Sequence, residues 1–319
     1  MYEDKVYVGY AQNRAIRYQA TSGGVGSAIL KYLFVRGVIK SAISFDYNKD
    51  SVKYTPRVIT NFNEYKISGS IYHSIDLIRY IRANINNIQS PFFCFALPCQ
   101  VKSIRSILNR NNIESYIVEL VCSSQQTFEA TEYLLKSLRI DISEVNSIKY
   151  RGNGWPSGVQ IIKKCGEEIF VPNNNSIWAK IFHSRLFVLP QCFLCNPDRK
   201  TEADLTIADP WGIDKIADEQ NIGRTLFYVR SAQMSEVISS MITDKILIIE
   251  NIENSVFRDS QKGTIHKKQA MLKHKKAAKA IKALYTNERY RKIVLSNSLL
   301  FRLHIIVNSN LNKILIKSN

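Results

Sequence analysis

The chain has 319 residues, of which 45% are apolar, 44 are Lys or Arg, 27 are Asp or Glu and six are Cys. This length suffices for one large or two modest domains with a buried core, and the composition excludes collagen-like, disordered and disulfide-stapled classes. No apolar stretch follows the first residues, and the longest apolar run, at residues 293–307, is too short to cross a bilayer. We therefore expect a cytoplasmic protein with reduced thiols.

The first 150 residues alternate between strand-like and helix-like segments. Short apolar runs predict strands at residues 5–10, 38–45, 91–97 and 116–121. Apolar spacing of the helical kind predicts helices between them, at residues 24–35, 74–88, 100–108 and 127–138. This alternation indicates the α/β class, with a layered, mostly parallel sheet covered by helices.

The local composition of the chain changes after Arg151, where glycine and proline become frequent. We expect short strands at residues 159–163, 168–171 and 204–208 and a helix at 177–187. A boundary near residues 145–155 predicts three parts, which are an α/β half (1–150), an α+β half with a C-x-x-C loop (151–260) and a basic helical tail (261–319).

The positive charge is concentrated in that tail. Residues 261–319 hold 14 basic side chains and one acid, Glu288, which leaves 30 basic and 26 acidic side chains for the body. A nearly balanced body without a nucleic-acid-binding motif argues against nucleic acid as a partner. The tail is either a solvated helical face that packs on the body, or a surface that docks on an anionic membrane or an acidic redox partner. In the membrane case the protein is peripheral at the inner face of the membrane.

Four cysteines have positions that suit a shared site. Cys192 and Cys195 form a C-x-x-C pair, which can supply two ligands to a metal ion or cluster but is half a site alone. Cys99 opens a predicted helix directly after a strand, where the helix N-terminus favours the thiolate. Cys122 ends the next strand, and the carboxyl ends of parallel strands share one edge of a sheet. These four thiols can therefore form a four-sulfur cage.

Residue types leave the nature of this cage open. Zinc and an iron–sulfur cluster use the same thiolates, and Cys99 and Cys122 can equally be buried structural residues. Cys94 and Cys165 are interpreted as small buried hydrophobic residues.

Two further segments contain candidate binding residues. Ser22, Gly23 and Gly24 precede a helix and can approach a phosphate closely, although an ordinary helix-capping turn explains them equally well. The predicted strand at 204–208 ends in Asp209 and Trp211, which can contact a cofactor, although a Trp is more often a core residue. His73, in a polar loop, is expected at the surface.

Seven segments, in this order, resemble the beta-subunit family of coenzyme F420-reducing hydrogenases and dehydrogenases. They are TSGGVGSAIL from Thr21, GSIYHS from Gly69, ALPCQV from Ala96, VELVC from Val118, YRGNGW from Tyr150, PQCFLC from Pro190 and EADLTIADPWGI from Glu202. The resemblance covers residues 5–214. It is to a short form, without the N-terminal ferredoxin-like cysteine region of many relatives.

The resemblance implies an oxidoreductase that contains FAD and one 4Fe–4S cluster. Such a protein moves electrons between a hydride carrier, coenzyme F420 or similar, and a one-electron partner, ferredoxin or another flavoprotein subunit. By position, it implies flavin contacts for Ser22, Gly23, Gly24, Tyr72, Pro98, Gln100, Asp209 and Trp211, and cluster ligation for Cys99, Cys122, Cys192 and Cys195. It nominates no catalytic residue.

Short members of this kind resemble proteins encoded beside bacterial surface-polysaccharide genes, so we expect a sugar-modifying reductase in polysaccharide biosynthesis. Two alternatives stay open. One is a zinc-stapled, non-catalytic binding module that docks through its basic tail, and the other is a degenerate member that keeps the fold and holds no cluster.

Overall fold

The computed structural model describes residues 5–213 and 222–317. Residues 1–4, which enter the expectation about the chain's start, and Asp214, at the end of the resemblance, lie outside these ranges. The elements up to residue 150 are β1 (Lys5–Ala11), α1 (Arg14–Gln19), α2 (Val25–Val35), β2 (Ser41–Asn48), β3 (Lys53–Ile59), α3 (Leu77–Ala83), β4 (Phe92–Ala96), α4 (Pro98–Arg110), β5 (Ser115–Leu120), α5 (Glu129–Ser137) and β6 (Val145–Lys149).

The later elements are mixed at first and then helical. They are β7 (Gly158–Lys163), β8 (Glu168–Pro172), α6 (Ile177–Ser184), β9 (Leu205–Ala208), β10 (Thr225–Val229), α7 (Ala232–Thr243), β11 (Leu247–Ile252), α8 (Asn254–Lys273), α9 (Lys275–Thr286), α10 (Glu288–Ser296) and α11 (Ser298–Lys317). The predicted helical character of the basic tail is confirmed by α8–α11.

An eight-stranded sheet forms the centre of the structure, with the strand order β11-β1-β10-β9-β5-β4-β2-β3. Strands β9, β5, β4 and β2 are parallel neighbours, and β1 points in the same direction. Five of these eight strands therefore share one direction, which confirms the predicted mostly parallel α/β sheet. Strands β9, β10 and β11 complete this sheet from the later part of the chain, and β6-β7-β8 form a separate antiparallel sheet.

Strand β4 shows why its sequence is apolar without interruption. Phe92 and Cys94 belong to the core beneath α3 and α4, whereas Phe93 belongs to the core beneath α2 and α7. Side chains alternate between the two faces of a strand, and helices cover both faces here. A continuous apolar run is the expected sequence of such a strand.

Two predicted boundaries are wrong for local reasons. The helix expected at 74–88 begins only at Leu77, because the Ser74 N–H bonds to the Gln126 carbonyl at 2.8 Å and holds the preceding chain extended. The strand expected at 38–45 begins at Ser41, because the Val38 N–H bonds to the Leu33 carbonyl at 2.9 Å and closes the end of α2.

The last helix packs on the body through one face. Phe301, His304 and Asn308 of α11 are buried. His304 Nε2 lies 2.8 Å from the Ser184 carbonyl oxygen, and Asn308 Nδ2 donates to the His183 carbonyl at 2.8 Å, both at the end of α6. Within residues 5–213 and 222–317, every helix is too short or too polar to span a lipid bilayer.

Candidate functional site

The candidate site lies at the carboxyl edge of three adjacent parallel strands. Strand β4 ends at Ala96, β5 at Leu120 and β9 at Ala208, and the three strands pair in the order β4-β5-β9. Cys99, Cys122 and Asp209 follow these ends within three residues. Ligand crevices of open α/β sheets lie at this edge.

Four thiols lie there within electrostatic range of one another, and we call Cys99, Cys122, Cys192 and Cys195 the cysteine quartet. Cys192 lies in the 3-10 turn Pro190–Leu194, which packs against α8 and α9, and Cys195 follows that turn directly. Cys99 is exposed and the other three are half-buried. The charge of each of the other three thiols acts on Cys122, so the quartet is one electrostatic cluster.

The environment of the quartet opposes ionisation of an isolated thiol. Burial raises the pKa of Cys122 to about 12, against the nearby positive charge of Lys268. Burial also raises the pKa of Cys99 and of Cys192, and the Cys195 thiol acts in the same direction on both. A bound cation would reverse this balance, since thiolates are the form that binds metals.

The charges of Lys268, Arg199 and Arg185 act on thiols of the quartet. Lys268 Nζ donates to the Cys122 carbonyl at 2.5 Å. The Arg185 guanidinium lies 4.7 Å from the centre of the ring of Phe193, a residue between Cys192 and Cys195 in the sequence. The ionised Cys192 thiol attracts the charge of Arg185. Burial and the charge of Arg185 lower the pKa of Lys267 to about 7.

Arg185 has an unusual environment for a buried charge. Its residue is 8% exposed, its Nε has no hydrogen-bond partner, and burial lowers its pKa. In the described part of the chain, no carboxylate compensates either Arg185 or Lys267. An uncompensated buried charge is costly, so this arrangement favours an anionic centre nearby.

The proximity of the thiols does not by itself give them the arrangement of metal ligands. No group of three or more His, Cys, Asp or Glu side chains in residues 5–213 and 222–317 is arranged as a metal site. The structure therefore places the four predicted thiols within electrostatic range of one another without showing that they bind a metal.

A second cluster joins the predicted flavin-contacting segments, and Arg151 is its centre. Arg151 is 3% exposed, its Nη1 donates to Asp209 Oδ2 at 2.6 Å, and its Nη2 donates to the Thr21 carbonyl at 3.4 Å. The Thr21 hydroxyl lies 3.2 Å from the Ser70 hydroxyl, and Tyr72 also interacts with the guanidinium. We call this group of side chains the arginine junction.

The ionisation states of Arg151 and Tyr72 are set by burial and by neighbouring groups in the arginine junction. Burial alone would lower the pKa of Arg151, but the charge of Asp209 raises it above its ordinary value. Burial raises the pKa of Tyr72, which therefore stays a neutral phenol at physiological pH. The junction is a permanent buried cation with a carboxylate partner.

Two tryptophans flank this cation. The Trp155 and Trp211 rings lie 5.1 Å apart at 39°, and the Arg151 guanidinium is 5.2 Å from the first ring and 6.0 Å from the second. Trp211 is 46% exposed, so it is not the core residue that its type favours. A cleft of about 470 Å³ borders Trp155 and is lined by Tyr18, Asn153–Ser157, Phe170, Pro172, Asn173 and Asn174. Its volume lies in the range of small-molecule sites.

The glycine turn at the start of α2 is built tightly into the fold. Ser22 Oγ lies 3.2 Å from Thr225 Oγ1, and the Gly23 N–H donates to the same oxygen at 2.9 Å. Gly24 caps α2 with φ 75°, a conformation that favours glycine. The capping role is thus confirmed, and a phosphate contact here stays a prediction.

Pro98 and Gln100 shape the helix start that holds Cys99. Pro98 is the first residue of α4, and Gln100 Oε1 accepts the Leu97 N–H at 3.0 Å. Together they fix the first turn of α4, so the backbone position of Cys99 is defined by its neighbours.

Helix α8 connects the two clusters. Gln261 Nε2 donates to the Asp209 carbonyl at 2.7 Å, and Lys268 reaches Cys122 from the same helix. Seven helical residues span about 10 Å. The arginine junction therefore contacts α8 at Gln261, about 10 Å along the helix from Lys268, which contacts the cysteine quartet.

Some expectations for single residues are wrong. His73 is 3% exposed rather than at the surface, because its Nε2 accepts the Tyr54 N–H at 2.9 Å inside the fold. Cys165 is exposed in the turn between β7 and β8 rather than buried, whereas Cys94 is buried as predicted.

Sequence reasoning did not select Arg151, Arg185, Thr225 or Lys268 as site residues. Arg151 lies inside the quoted YRGNGW segment, which was a usable signal. The other three depend on contacts between distant parts of the chain, and no local pattern marks them.

Comparisons with known proteins agree with this architecture. Residues 6–82 match the family model "Coenzyme F420 hydrogenase/dehydrogenase, beta subunit N-term", and residues 92–255 match its C-terminal counterpart. A comparison with curated proteins finds no significant match.

Among solved structures, a chain of the F420-reducing NiFe hydrogenase complex from Methanosarcina barkeri is similar, with a TM-score of 0.62 at 15% identity. The match covers 85% of this chain and 91% of that chain, and at this identity it shows the shared fold. The two family models together cover most of the chain, which therefore belongs to the coenzyme F420 hydrogenase/dehydrogenase beta-subunit family and has an oxidoreductase-related role.

Proposed function

We propose that this chain is an oxidoreductase that holds FAD and one 4Fe–4S cluster and moves electrons between a hydride carrier and a one-electron partner. Coenzyme F420 or a similar molecule is the carrier in this proposal, and ferredoxin or another flavoprotein subunit is the partner. A sugar-modifying role in surface-polysaccharide biosynthesis belongs to the same proposal.

The observation that carries the proposal is the set of cations around the cysteine quartet. Four thiolates carry twice the charge of a divalent ion, so a metal or cluster that they bind is anionic overall. The charges of Arg185 and Lys268 act on thiols of the quartet, and within the residues that the structure describes no carboxylate compensates Arg185. The donor set and its surroundings thus fit a thiolate-bound centre, with Cys99, Cys122, Cys192 and Cys195 as ligands.

The arginine junction fits the neighbouring flavin role. Arg151 presents a buried cation whose Nε has no hydrogen-bond partner, and the half-exposed Trp211 offers an indole face beside it. Such groups bind a phosphate or the face of a ring system. In the proposal, Ser22, Gly23 and Gly24 contact the phosphates, Tyr72, Pro98 and Gln100 line the ring region, and Asp209 with Trp211 closes the site.

The chain's own residues have positioning roles in this proposal. When bound, a flavin accepts two electrons with a proton and passes them on singly, which is the chemistry needed between the two kinds of partner. Asp209 holds Arg151 in place, and α8 holds the Asp209 and Cys122 backbones in a fixed relation. From the same helix, Lys268 brings a positive charge close to the half-buried thiol of Cys122.

The decisive experiment is a count of iron, sulfide and flavin in anaerobically purified protein. The proposal expects a brown protein with about four iron and four sulfide per chain and FAD released on denaturation. Cys99→Ser should remove the iron, whereas Cys165→Ser, another exposed cysteine, should leave it unchanged. A colourless protein with one zinc ion would support the binding-module alternative, and neither group would indicate a degenerate member.

A further inference from the structure

The outer face of α11 is an aliphatic stripe whose side chains are exposed in the described part of the chain. Its members recur at intervals of three and four residues and therefore lie on one side of the helix. They are Leu299, Leu300, Leu303, Ile306, Val307 and Ile314, with exposed fractions from 39% to 62%. Exposed apolar groups that line up in this way mark an interaction surface.

The stripe is held rigidly outward by the opposite face of the same helix. Phe301, His304 and Asn308 are 3–5% exposed and anchor α11 on the body. Asn308 Oδ1 also accepts a hydrogen bond from the Tyr285 hydroxyl at 3.1 Å, and His304 Nδ1 lies 3.0 Å from the Tyr290 hydroxyl. Rotation of α11 to bury the stripe would break these contacts.

The charges beside the stripe have one sign. Arg302, Lys313 and Lys317 are exposed on α11. Helical geometry places each of them within a third of a turn, around the helix, of the middle of the aliphatic stripe. Between Lys275 and Lys317, ten side chains are Lys or Arg and one, Glu288, is acidic. An apolar face bordered by cations is complementary to a lipid surface with anionic headgroups.

We propose that α11 docks this protein peripherally on an anionic phospholipid membrane, with the aliphatic stripe inserted among the acyl chains and Arg302, Lys313 and Lys317 at the headgroups. An acidic protein partner would match the cations but would leave six aliphatic side chains against a charged surface. Protein interfaces also use aromatic anchors, and the stripe has none. The lipid surface satisfies both features.

Sedimentation with lipid vesicles tests the proposal. The full-length protein should bind vesicles of phosphatidylcholine with about one-third phosphatidylglycerol, and should bind pure phosphatidylcholine vesicles roughly tenfold or more weakly. Leu303→Asp/Ile306→Asp should weaken binding to the anionic vesicles at least about tenfold. Arg302→Gln/Lys313→Gln should also weaken it, and should remove most of its salt dependence.

The control is Val35→Asp/Ile142→Asp, a pair of exposed aliphatic residues elsewhere on the chain, which should bind vesicles like the wild type. Circular dichroism and cofactor content of each variant separate loss of docking from misfolding and from failure of the proposed redox role. Equal binding by the Leu303/Ile306 variant would overturn the proposal. So would a wild-type dimer that this variant converts to a monomer without a change in vesicle binding.

Discussion

Lys268 Nζ donates a hydrogen bond of 2.5 Å to the carbonyl oxygen of Cys122. Lys268 lies on α8, beyond residue 255, where the match to the family model ends. Its charge acts on the thiols of Cys99, Cys122 and Cys192 and favours their ionised forms. The tail of the chain is therefore part of the environment of the cysteine quartet.

The first prediction concerns this lysine. Lys268→Met should weaken binding of Co²⁺ to the reduced apoprotein by about 1–2 kcal/mol, or roughly five- to thirtyfold, because the bound thiolates lose a neighbouring cation. Titration of the thiolate-to-cobalt absorption band measures this affinity. Lys268→Arg, which keeps the charge, should retain most of it.

Lys262→Met is the matched control, since Lys262 is exposed on the same helix. If Lys262→Met and Lys268→Met bind Co²⁺ equally well, the charge of Lys268 has no part in the site.

The second prediction uses the uncompensated charge of Arg185. Arg185→Met should stabilise the metal-free protein by about 1–3 kcal/mol, because an apolar side chain replaces a buried guanidinium that no carboxylate compensates. The same change should destabilise the loaded protein, because the anionic centre loses its neighbouring cation. Urea unfolding of both forms measures the two effects.

Arg82→Met, at an exposed position of α3, should leave both unfolding free energies nearly unchanged. A loss of stability of the metal-free Arg185→Met protein would show that Arg185 stabilises the fold by itself.

Sequence patterns predicted strands with a uniformly apolar sequence and missed a strand whose sequence is interrupted by proline and charged residues. The strand at β4 was evident because both of its faces are buried, which makes its sequence uniformly apolar. Strand β3 was missed because its segment contains Pro56 and Arg57, which an antiparallel edge strand tolerates.

The residues of the candidate site were also predicted only in part. The quartet was predictable because Cys99 and Cys122 follow strand ends, and parallel strands bring such ends to one edge. Arg185 and Lys268 were not, because their importance depends on the packing of α6 and α8 around the quartet. Residues that tune a site through charge have no fixed spacing to the residues that they tune.

The third prediction concerns the ion pair between Arg151 and Asp209. Asp209→Asn should lower the free energy of unfolding by about 3 kcal/mol, because it leaves the buried guanidinium unpaired. It should also reduce the FAD content in the proposed function. The double variant Arg151→Met/Asp209→Asn should recover part of the stability, which thermal and urea unfolding can measure.

Asp244→Asn is a control that removes an ion pair of the same length but with more exposed side chains. Asp244 pairs with Arg36 at 2.6 Å, the distance found between Asp209 and Arg151, but these side chains are 32% and 55% exposed. Its loss should destabilise the protein much less than the loss of Asp209, because solvent screens an exposed pair. Equal costs for the two variants would mean that burial does not strengthen the pair in the arginine junction.

The fourth prediction is a pH dependence caused by His73. The Tyr54 N–H donates to Nε2 of His73, so this nitrogen is unprotonated and the ring proton is on Nδ1, 3.3 Å from the Ser74 carbonyl. Burial lowers the pKa of His73, the Ser74 carbonyl raises it, and Lys53 lowers it, with a net decrease. The unfolded chain therefore binds a proton more readily than the native state does, and stability is lost as the pH falls below about 6.5.

His73→Gln keeps an acceptor for the Tyr54 N–H but cannot titrate. Between pH 7.5 and pH 5.5, the wild type should lose more unfolding free energy than this variant, by at most about 1.4 kcal/mol for one proton, as measured by urea unfolding at both pH values. His266→Gln, which removes an exposed histidine of α8, should behave like the wild type. Because burial also lowers the pKa of His183 and His304, the variant should keep a smaller pH dependence rather than none. An unchanged slope in His73→Gln would show that protonation at Nε2 does not oppose folding.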